Sequence, residues 1–203
     1  KEEIEKIEAE FATVLSYCPK VYKDDESMRV VQKAFDLANK AHAGSRRKSG
    51  EPYIFHPLSV AKIVSGEMGL GVRSVVGALL HDVVEDTDYT VDDIRNMFDD
   101  RIATIIDGLT KIRSALKTKS SQAENFRKML LTLSEDARVI LIKIADRLHN
   151  MRTLDSMNPD RQIDIAAETR IFFVPLAHRM GFNSIKSELE DLCLKYEMPQ
   201  VYK

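Results

Sequence analysis

Residues 72–86 read VRSVVGALLHDVVED, and this stretch decides the fold. Its apolar side chains recur three and four positions apart, which is the spacing of one buried stripe on an α-helix. The stripe consists of Val72, Val75, Val76, Leu79, Leu80 and Val83. The pattern predicts a helix that begins at Val72 and carries a cluster of ionisable groups, residues 81–86, at its end.

The same helical spacing continues along almost the whole chain, without the strict alternation typical of a half-buried strand. We therefore predict an all-α fold. A second stripe consists of Ile102, Ile105, Ile106, Leu109 and Ile112. Pro57 is placed to lie in the first turn of a helix that ends at Met68, and Thr90 with Asp93 resembles a capping box. Further helices are expected to begin near Ser134 and Ser184.

Composition limits the possible functions. The 203 residues hold 30 Lys and Arg against 32 Asp and Glu, a net charge of −2, so we expect no direct binding of nucleic acid. No apolar run approaches the roughly 20 residues of a membrane span, so we expect no membrane partner. Only Cys18 and Cys193 are present, too few for a disulfide framework, which favours packing roles and a reducing cytoplasm.

Four ionisable residues lie at the end of the first stripe. On a helix with 100° per residue, His81 and Glu85 share one side, while Asp82 and Asp86 share the adjacent side. A solvated helix end with an incidental histidine would show the same pattern. The pattern alone therefore leaves open whether these groups form a site.

Asp146 interrupts the apolar stripe of another predicted helix. Its side of that helix holds Val139, Ile142, Asn150 and Thr153, and the opposite side holds Leu141, Ile144, Leu148 and Met151. A helix that is apolar on two sides is buried, and a buried carboxylate needs a cation beside it. That cation could be the guanidinium of Arg147 or Arg152, or it could be a metal ion.

His56 precedes Pro57 at a helix start. Taken alone, such a histidine is more often a capping or core residue than a ligand. Together with His81, Asp82 and Asp146, however, it completes a set of two imidazoles and two carboxylates from three helices. Such a set suits one divalent ion with open positions, and zinc, iron or manganese would each be accepted.

Two basic segments could meet phosphate groups. Arg46, Arg47 and Lys48 are followed by Ser49, and His56 lies eight to ten positions further on. We expect this cluster to bind diphosphates, although three adjacent basic residues often form only a solvated turn. A second segment contains Lys111, Arg113, Lys117 and Lys119 and overlaps residues 113–122, which we predict to be an exposed mobile loop.

Five blocks of sequence, in this order, resemble the hydrolase domain of the RelA/SpoT alarmone enzymes, a branch of the HD phosphohydrolase superfamily. They are RRKSGEPYIFHP at 46–57, HDVVEDT at 81–87, DGLTKI at 107–112, KIADRLHNMRTL at 143–154 and PLAHRMG at 175–181. The resemblance implies an HD-domain helical bundle with a single metal site between helices. It also implies that residues 1–203 form one domain, the amino-terminal part of a longer bifunctional protein, with residues 184–203 leading toward a synthetase domain.

The family hydrolyses guanosine 3′,5′-bis(diphosphate) and its pentaphosphate analogue at the 3′ position, releasing pyrophosphate, and uses one manganese ion. Carried over to this sequence, the metal ligands would be His56, His81, Asp82 and Asp146. Glu85 and Asp86 would activate or position the attacking water, and the substrate would contact Arg47, Lys48, Ser49, Asn150 and Thr153. Another HD nucleotide phosphohydrolase and a non-catalytic nucleotide-sensing module are the competing interpretations.

Overall fold

The computed structural model of the protein describes residues 2–18, 24–117, 124 and 136–202. Within those ranges the regular structure is helical, and the single β-type pairing is the bridge between Arg46 and Pro52. The all-α prediction is confirmed. Contacts divide the chain into two compact units, residues 1–143 and residues 144–203, and the division falls inside one helix.

The first unit contains seven described helices and the start of an eighth. The seven are α1 (Glu2–Ser16), α2 (Asp25–Ala41), α3 (Phe55–Lys62), α4 (Val72–Leu80), α5 (Val83–Asp86), α6 (Val91–Met97) and α7 (Asp100–Lys117). The eighth, α8 (Ala137–Arg152), continues into the second unit. A π-helical turn, Ile63–Glu67, extends α3.

Helix α4 lies at the centre of this unit and packs against α2, α3 and α7. Every residue from Ser74 to Leu80 is buried. Gly77 permits the closest packing, because a Cβ atom there would lie 2.8 Å from Cδ1 of Ile142 and 3.0 Å from Cγ2 of Ile105. The apolar stripe that the sequence showed is therefore only part of a helix that is buried on nearly all sides.

The prediction of one continuous helix from Val72 through residue 86 is wrong. Helix α4 ends at Leu80, His81 and Asp82 form a turn, and α5 follows as a separate short helix. The side chain of His81 gives a physical reason, because its Nδ1 lies 2.6 Å from the carbonyl oxygen of Ala78. In a continuous helix that carbonyl would accept the backbone N–H of Asp82.

Other predicted helix boundaries agree with the structure. Pro57 lies in the first turn of α3, and the chain leaves that helix at Gly69, whose φ of 67° lies in the left-handed region that glycine tolerates. The capping box of α6 is present in both directions. The Oγ1 of Thr90 accepts the N–H of Asp93, and Oδ2 of Asp93 accepts the N–H of Thr90 at 2.8 Å.

The predicted mobile loop is wrong for its first part, because α7 continues through residues 113–117. The apolar spacing of α7 extends further than the Lys, Ser and Thr content of this stretch suggested. Residues 118–122, which include Lys119, lie outside the described residues, as does the helix start predicted near Ser134.

The second unit contains the rest of α8, then α9 (Pro159–Glu168), α10 (Val174–Arg179) and α11 (Asn183–Glu197), with a 3₁₀ turn at Leu154–Ser156 and a π-helical turn at Thr169–Phe173. Helix α11 begins one residue before the predicted start. The buried core of the second unit includes Phe173, Leu176 and Leu189.

Both cysteines are buried and neither forms a disulfide within the described residues, Cys18 lying in the first unit and Cys193 in the second. This confirms their predicted packing roles. Burial raises the pKa of the Cys193 thiol to about 12, so that thiol is protonated at neutral pH. Within the described part of the chain, no helix is long and apolar enough to cross a lipid bilayer.

Candidate metal centre

The break between α4 and α5 positions His81 and Asp82, which are 2 % and 5 % exposed. Because a carbonyl oxygen can only accept a hydrogen bond, the Nδ1 of His81 carries the hydrogen that it donates to Ala78. In the neutral imidazole the lone pair then lies on Nε2, which is the atom that faces His56 and Asp82. A hydrogen bond of this kind, made by the ring nitrogen that does not face the metal ion, fixes the tautomer of metal-binding histidines.

His56 reaches the same point from the first turn of α3 and is also buried. Its Nε2 lies 3.2 Å from Nε2 of His81 and 3.6 Å from Oδ2 of Asp82, and the latter two atoms are 3.0 Å apart. Ligand atoms about 2.1 Å from one ion are separated by about 3.0–3.4 Å. Two of the three separations lie in this range and the third, 3.6 Å between His56 and Asp82, exceeds it slightly, so the three atoms are arranged nearly as ligands of one divalent ion. Two nitrogens with one carboxylate oxygen suit a transition metal.

Asp146, the fourth predicted ligand, lies in the part of α8 that belongs to the second unit and is buried. One carboxylate oxygen accepts a 2.8 Å hydrogen bond from Nδ2 of Asn150, one turn further along the helix. The arginines considered as salt-bridge partners contact other carboxylates, Arg147 that of Glu168 and Arg152 that of Glu188. The ligand role of Asp146 stays a prediction.

Tyr53 is a site residue that the sequence reasoning missed. Its hydroxyl lies 2.6 Å from Oδ2 of Asp82 and 3.3 Å from Oδ2 of Asp86, so it donates to the oxygen that also faces the histidines. Its ring contacts that of His42 in a tilted arrangement, with 4.6 Å between centroids and 35° between the ring planes. Tyr53 lies three residues before His56 in the block 46–57, and that proximity was the available signal.

His42 is buried, and its ring lies against that of Tyr53. Its Nε2 has no hydrogen-bond partner among the described residues. Burial lowers the pKa of His42, so the imidazole is neutral at physiological pH. A neutral, buried imidazole packed against the Tyr53 ring supports the position of that ring.

Arg113 joins three carboxylates of the site. Its Nη1 lies 3.0 Å from Oδ1 of Asp82 and 2.6 Å from Oε2 of Glu85, and its Nη2 lies 3.3 Å from Oδ1 of Asp86. The sequence analysis placed Arg113 in an exposed loop and therefore did not include it in the site. The signal was present, since Arg113 lies four positions after buried Leu109 and so continues the apolar stripe of α7.

Glu85 and Asp86 differ in environment. The side chain of Glu85 is 7 % exposed and that of Asp86 is 32 % exposed. Burial raises the pKa of Glu85 to about 7, against the lowering effect of the positive charges of Arg113 and Lys143. A carboxylate with such a pKa can take up a proton near neutral pH, as a general base must.

The predicted diphosphate-binding residues lie in the turn between α2 and α3. The N–H of Gly50 donates to the carbonyl oxygen of Arg47 at 2.9 Å, and Lys48 and Ser49 are exposed. Arg46 is engaged elsewhere, because its guanidinium contacts the carboxylate of Glu3 at 3.1 Å. The turn leaves Lys48 and Ser49 accessible, and the substrate contacts of Arg47, Lys48 and Ser49 stay predictions.

The other predicted substrate residues, Asn150 and Thr153, lie at the end of α8 in the second unit. Asn150 donates to Asp146, as described above. The Oγ1 of Thr153 donates to the carbonyl oxygen of His149 at 2.9 Å. Their contact with a nucleoside also stays a prediction.

Comparison with known protein families identifies the class of protein to which this chain belongs. The family model described as HD domain matches residues 34–183, so the chain belongs to the HD domain family. Within that family its relatives are RelA/SpoT proteins, which confirms the recognition made from the five sequence blocks.

The chain is 46 % identical over 186 residues to a GTP pyrophosphokinase of Myxococcus xanthus, covering 89 % of this chain and 24 % of that protein. It is 45 % identical over 185 residues to the bifunctional (p)ppGpp synthase/hydrolase SpoT of Escherichia coli, covering 90 % and 26 %. The chain thus spans about a quarter of the length of these relatives.

A solved structure gives a similar fold. It belongs to a metazoan orthologue of SpoT that is described as hydrolysing ppGpp and playing a role in starvation responses. The two folds agree with a TM-score of 0.66 at 25 % sequence identity, over 80 % of this chain and 93 % of that one.

Proposed function

We propose that this chain is a manganese-dependent hydrolase that removes pyrophosphate from the 3′ position of guanosine 3′,5′-bis(diphosphate) or its 5′-triphosphate analogue. The observation that carries the proposal is the cluster of His56, His81 and Asp82 with Glu85 and Asp86 beside it, in an HD domain whose relatives are RelA/SpoT proteins. The orthologue of similar fold is described as hydrolysing ppGpp, which supports the same substrate class.

The reaction is a phosphoryl transfer to water. The water oxygen forms a bond to the phosphorus that is attached to the 3′ oxygen, and the bond between that phosphorus and the 3′ oxygen breaks. One proton leaves the water and one proton ends on the 3′ oxygen, so the products are GDP or GTP and pyrophosphate. The protein must orient the water, accept its proton and neutralise the phosphoryl charge.

We assign the activation and positioning of the attacking water to Glu85 and Asp86. Glu85 is buried next to the ligand Asp82, and Asp86 is partly exposed, so one carboxylate lies deeper in the site than the other. Glu85 accepts the proton of the water, and Asp86 orients the same water through a hydrogen bond. The shared contacts to Tyr53 and Arg113 hold the carboxylates of Asp82 and Asp86 in fixed directions.

We assign His56, His81, Asp82 and Asp146 as the protein ligands of one divalent ion, which when bound supplies positive charge against the phosphoryl oxygens. The burial of Asp146 and its hydrogen bond from Asn150 support its place in the set. The choice of manganese follows the family resemblance, because two imidazoles and two carboxylates would also accept zinc or iron.

We assign substrate binding to the remaining residues that the sequence analysis predicted for the site. Arg47, Lys48 and Ser49 bind diphosphate oxygens, since the turn that holds them exposes Lys48 and Ser49 only a few residues before His56. Asn150 and Thr153 contact the nucleoside. In the complete protein the partner would be a synthetase domain, as the name of the Escherichia coli relative suggests.

The experiment is a product assay on the purified chain. The protein, loaded with Mn²⁺, is given the guanosine tetraphosphate, GTP and dGMP in separate reactions, and the products are separated by chromatography. We expect GDP and pyrophosphate from the tetraphosphate alone. Turnover of GTP or dGMP instead would assign the chain to another group of HD phosphohydrolases, and binding without turnover would make it a nucleotide-sensing module.

A further inference from the structure

Arg113 contacts three carboxylates of the candidate site, and the assignment above uses its contacts but not its positive charge. Its guanidinium meets Oδ1 of Asp82, Oε2 of Glu85 and Oδ1 of Asp86 at 3.0, 2.6 and 3.3 Å. The histidines face the other oxygen of Asp82, Oδ2. The guanidinium therefore binds the oxygen of Asp82 that lies opposite the one facing the histidines, and Tyr53 donates to the latter.

The charges explain why such a cation is needed. Three carboxylates within reach of one another repel, and a divalent ion binds carboxylate oxygens strongly. Without a fixed positive charge, Glu85 and Asp86 would turn toward the ion as additional ligands and would no longer be free to act on water. Lys143 supplies a second positive charge near Glu85, whereas Arg113 is the residue that reaches all three carboxylates.

We propose that Arg113 is a positioning residue, a built-in counter-cation that keeps Glu85 and Asp86 off the metal ion and aimed at the water. The planar fork of arginine suits this task, because two nitrogens can hold carboxylates in different directions at once. The inference rests on the proposed function for the role of the water, but its consequence for metal affinity does not depend on the substrate.

The test compares Arg113→Met with the unaltered protein in two measurements. Titration with Mn²⁺ alone, followed by calorimetry, should show about tenfold tighter binding or a second bound equivalent, because one opposing charge is gone and two carboxylates are released. Turnover of the guanosine tetraphosphate should fall by about 10- to 100-fold. Local unfolding would weaken both metal binding and turnover, so opposite directions identify the positioning role.

Arg113→Lys keeps the charge and loses the fork. We expect Mn²⁺ affinity within about twofold of the unaltered protein and turnover between those of the other two proteins. Arg95→Met is the matched control, since Arg95 pairs with Asp92 and Asp100 on the exposed side of α6 and should leave both measurements unchanged.

Unchanged or weaker Mn²⁺ binding in Arg113→Met would overturn the counter-cation role, and unchanged turnover would overturn the positioning role. If Arg113→Met does not fold, full turnover in Arg113→Lys would overturn the need for the fork. Should the unaltered protein turn over no tetraphosphate, the proposed function fails, while the metal titration still decides the role of Arg113 as a counter-cation.

Discussion

The two helical segments that carry the predicted carboxylate ligands are built in opposite ways. Asp82 lies at a break, where α4 ends, a turn intervenes and α5 starts. Asp146 lies in the interior of α8, a continuous helix of 16 residues with buried apolar side chains on both sides of it.

The difference affects how many groups each segment can contribute. The break gathers His81, Asp82, Glu85 and Asp86 within six positions, because the turn directs neighbouring side chains to one place. A continuous helix presents one residue per turn along a stripe, so α8 contributes Asp146 and then Asn150 four positions later. The break between α4 and α5 therefore brings several ionisable side chains together, whereas a continuous helix such as α8 presents them one per turn.

The largest effect should come from removing a ligand of either segment. We expect His81→Ala and Asp146→Ala each to lose the bound metal ion and to reduce turnover to background, because each removes one of four proposed protein ligands. Metal analysis of the purified variants, with circular dichroism as the control for folding, provides the measurement. A full equivalent of manganese in Asp146→Ala, beside its loss in His81→Ala, would remove Asp146 from the proposed ligand set.

A second test separates the functions of the residues within the break. Glu85→Gln and Asp86→Asn should retain the metal ion and substrate binding while turnover falls by about 10²–10⁴, the usual scale for a lost general acid or base. Single-turnover rates and metal content on each variant are the measurements. Loss of the ion in both variants would make these residues ligands, and full turnover in both would make them surface charges.

The burial of Asp146 on α8 could be predicted from sequence, because a carboxylate on a regular helix keeps the period of its neighbours. The break could not, since the helical spacing of residues 72–83 continues through it and Val83 remains buried. A single side-chain hydrogen bond, from His81 to the carbonyl oxygen of Ala78, accompanies the end of the helix, and residue spacing does not record such a bond.

The same reasoning explains the two missed residues. Tyr53 and Arg113 reach the site from outside the break, one from the turn before α3 and one from α7. Their roles depend on contacts between segments distant in sequence. An arginine that continues a buried stripe does predict a buried anionic partner, and Arg113 could have been recognised in that way.

A third prediction concerns the turn that precedes α3. Arg47→Ala and Lys48→Ala should each raise KM by about tenfold with kcat little changed, because the cluster is proposed to bind diphosphates equally in the ground and transition states. Steady-state kinetics at two salt concentrations are the measurement, with a steeper salt dependence expected. A fall in kcat at constant KM would place these residues on the transferred phosphoryl group instead.

Arg46→Ala is the matched control for that experiment. Its guanidinium is already held by Glu3 and by the carbonyl oxygen of Gly50, at 3.1 and 2.7 Å. We therefore expect its KM to stay close to that of the unaltered protein. An equal rise in KM would show that the kinetic effect follows from net charge and not from the position of each basic residue.

The smallest effect should arise where α4 meets α8 within the first unit, four residues before His81. In Gly77→Ala the new Cβ would lie 2.8 Å from Cδ1 of Ile142, so that flexible side-chain end must move. We expect the free energy of unfolding to fall by about 1 kcal/mol, since overpacking costs about 1–3 kcal/mol and the alanine recovers part of this through helix propensity. Chemical denaturation measures the change.

Gly71→Ala is the control, because nothing lies within 4 Å of its Cβ and its φ of −84° suits any residue. If Gly77→Ala proved as stable as Gly71→Ala, the packing at this crossing would not require glycine.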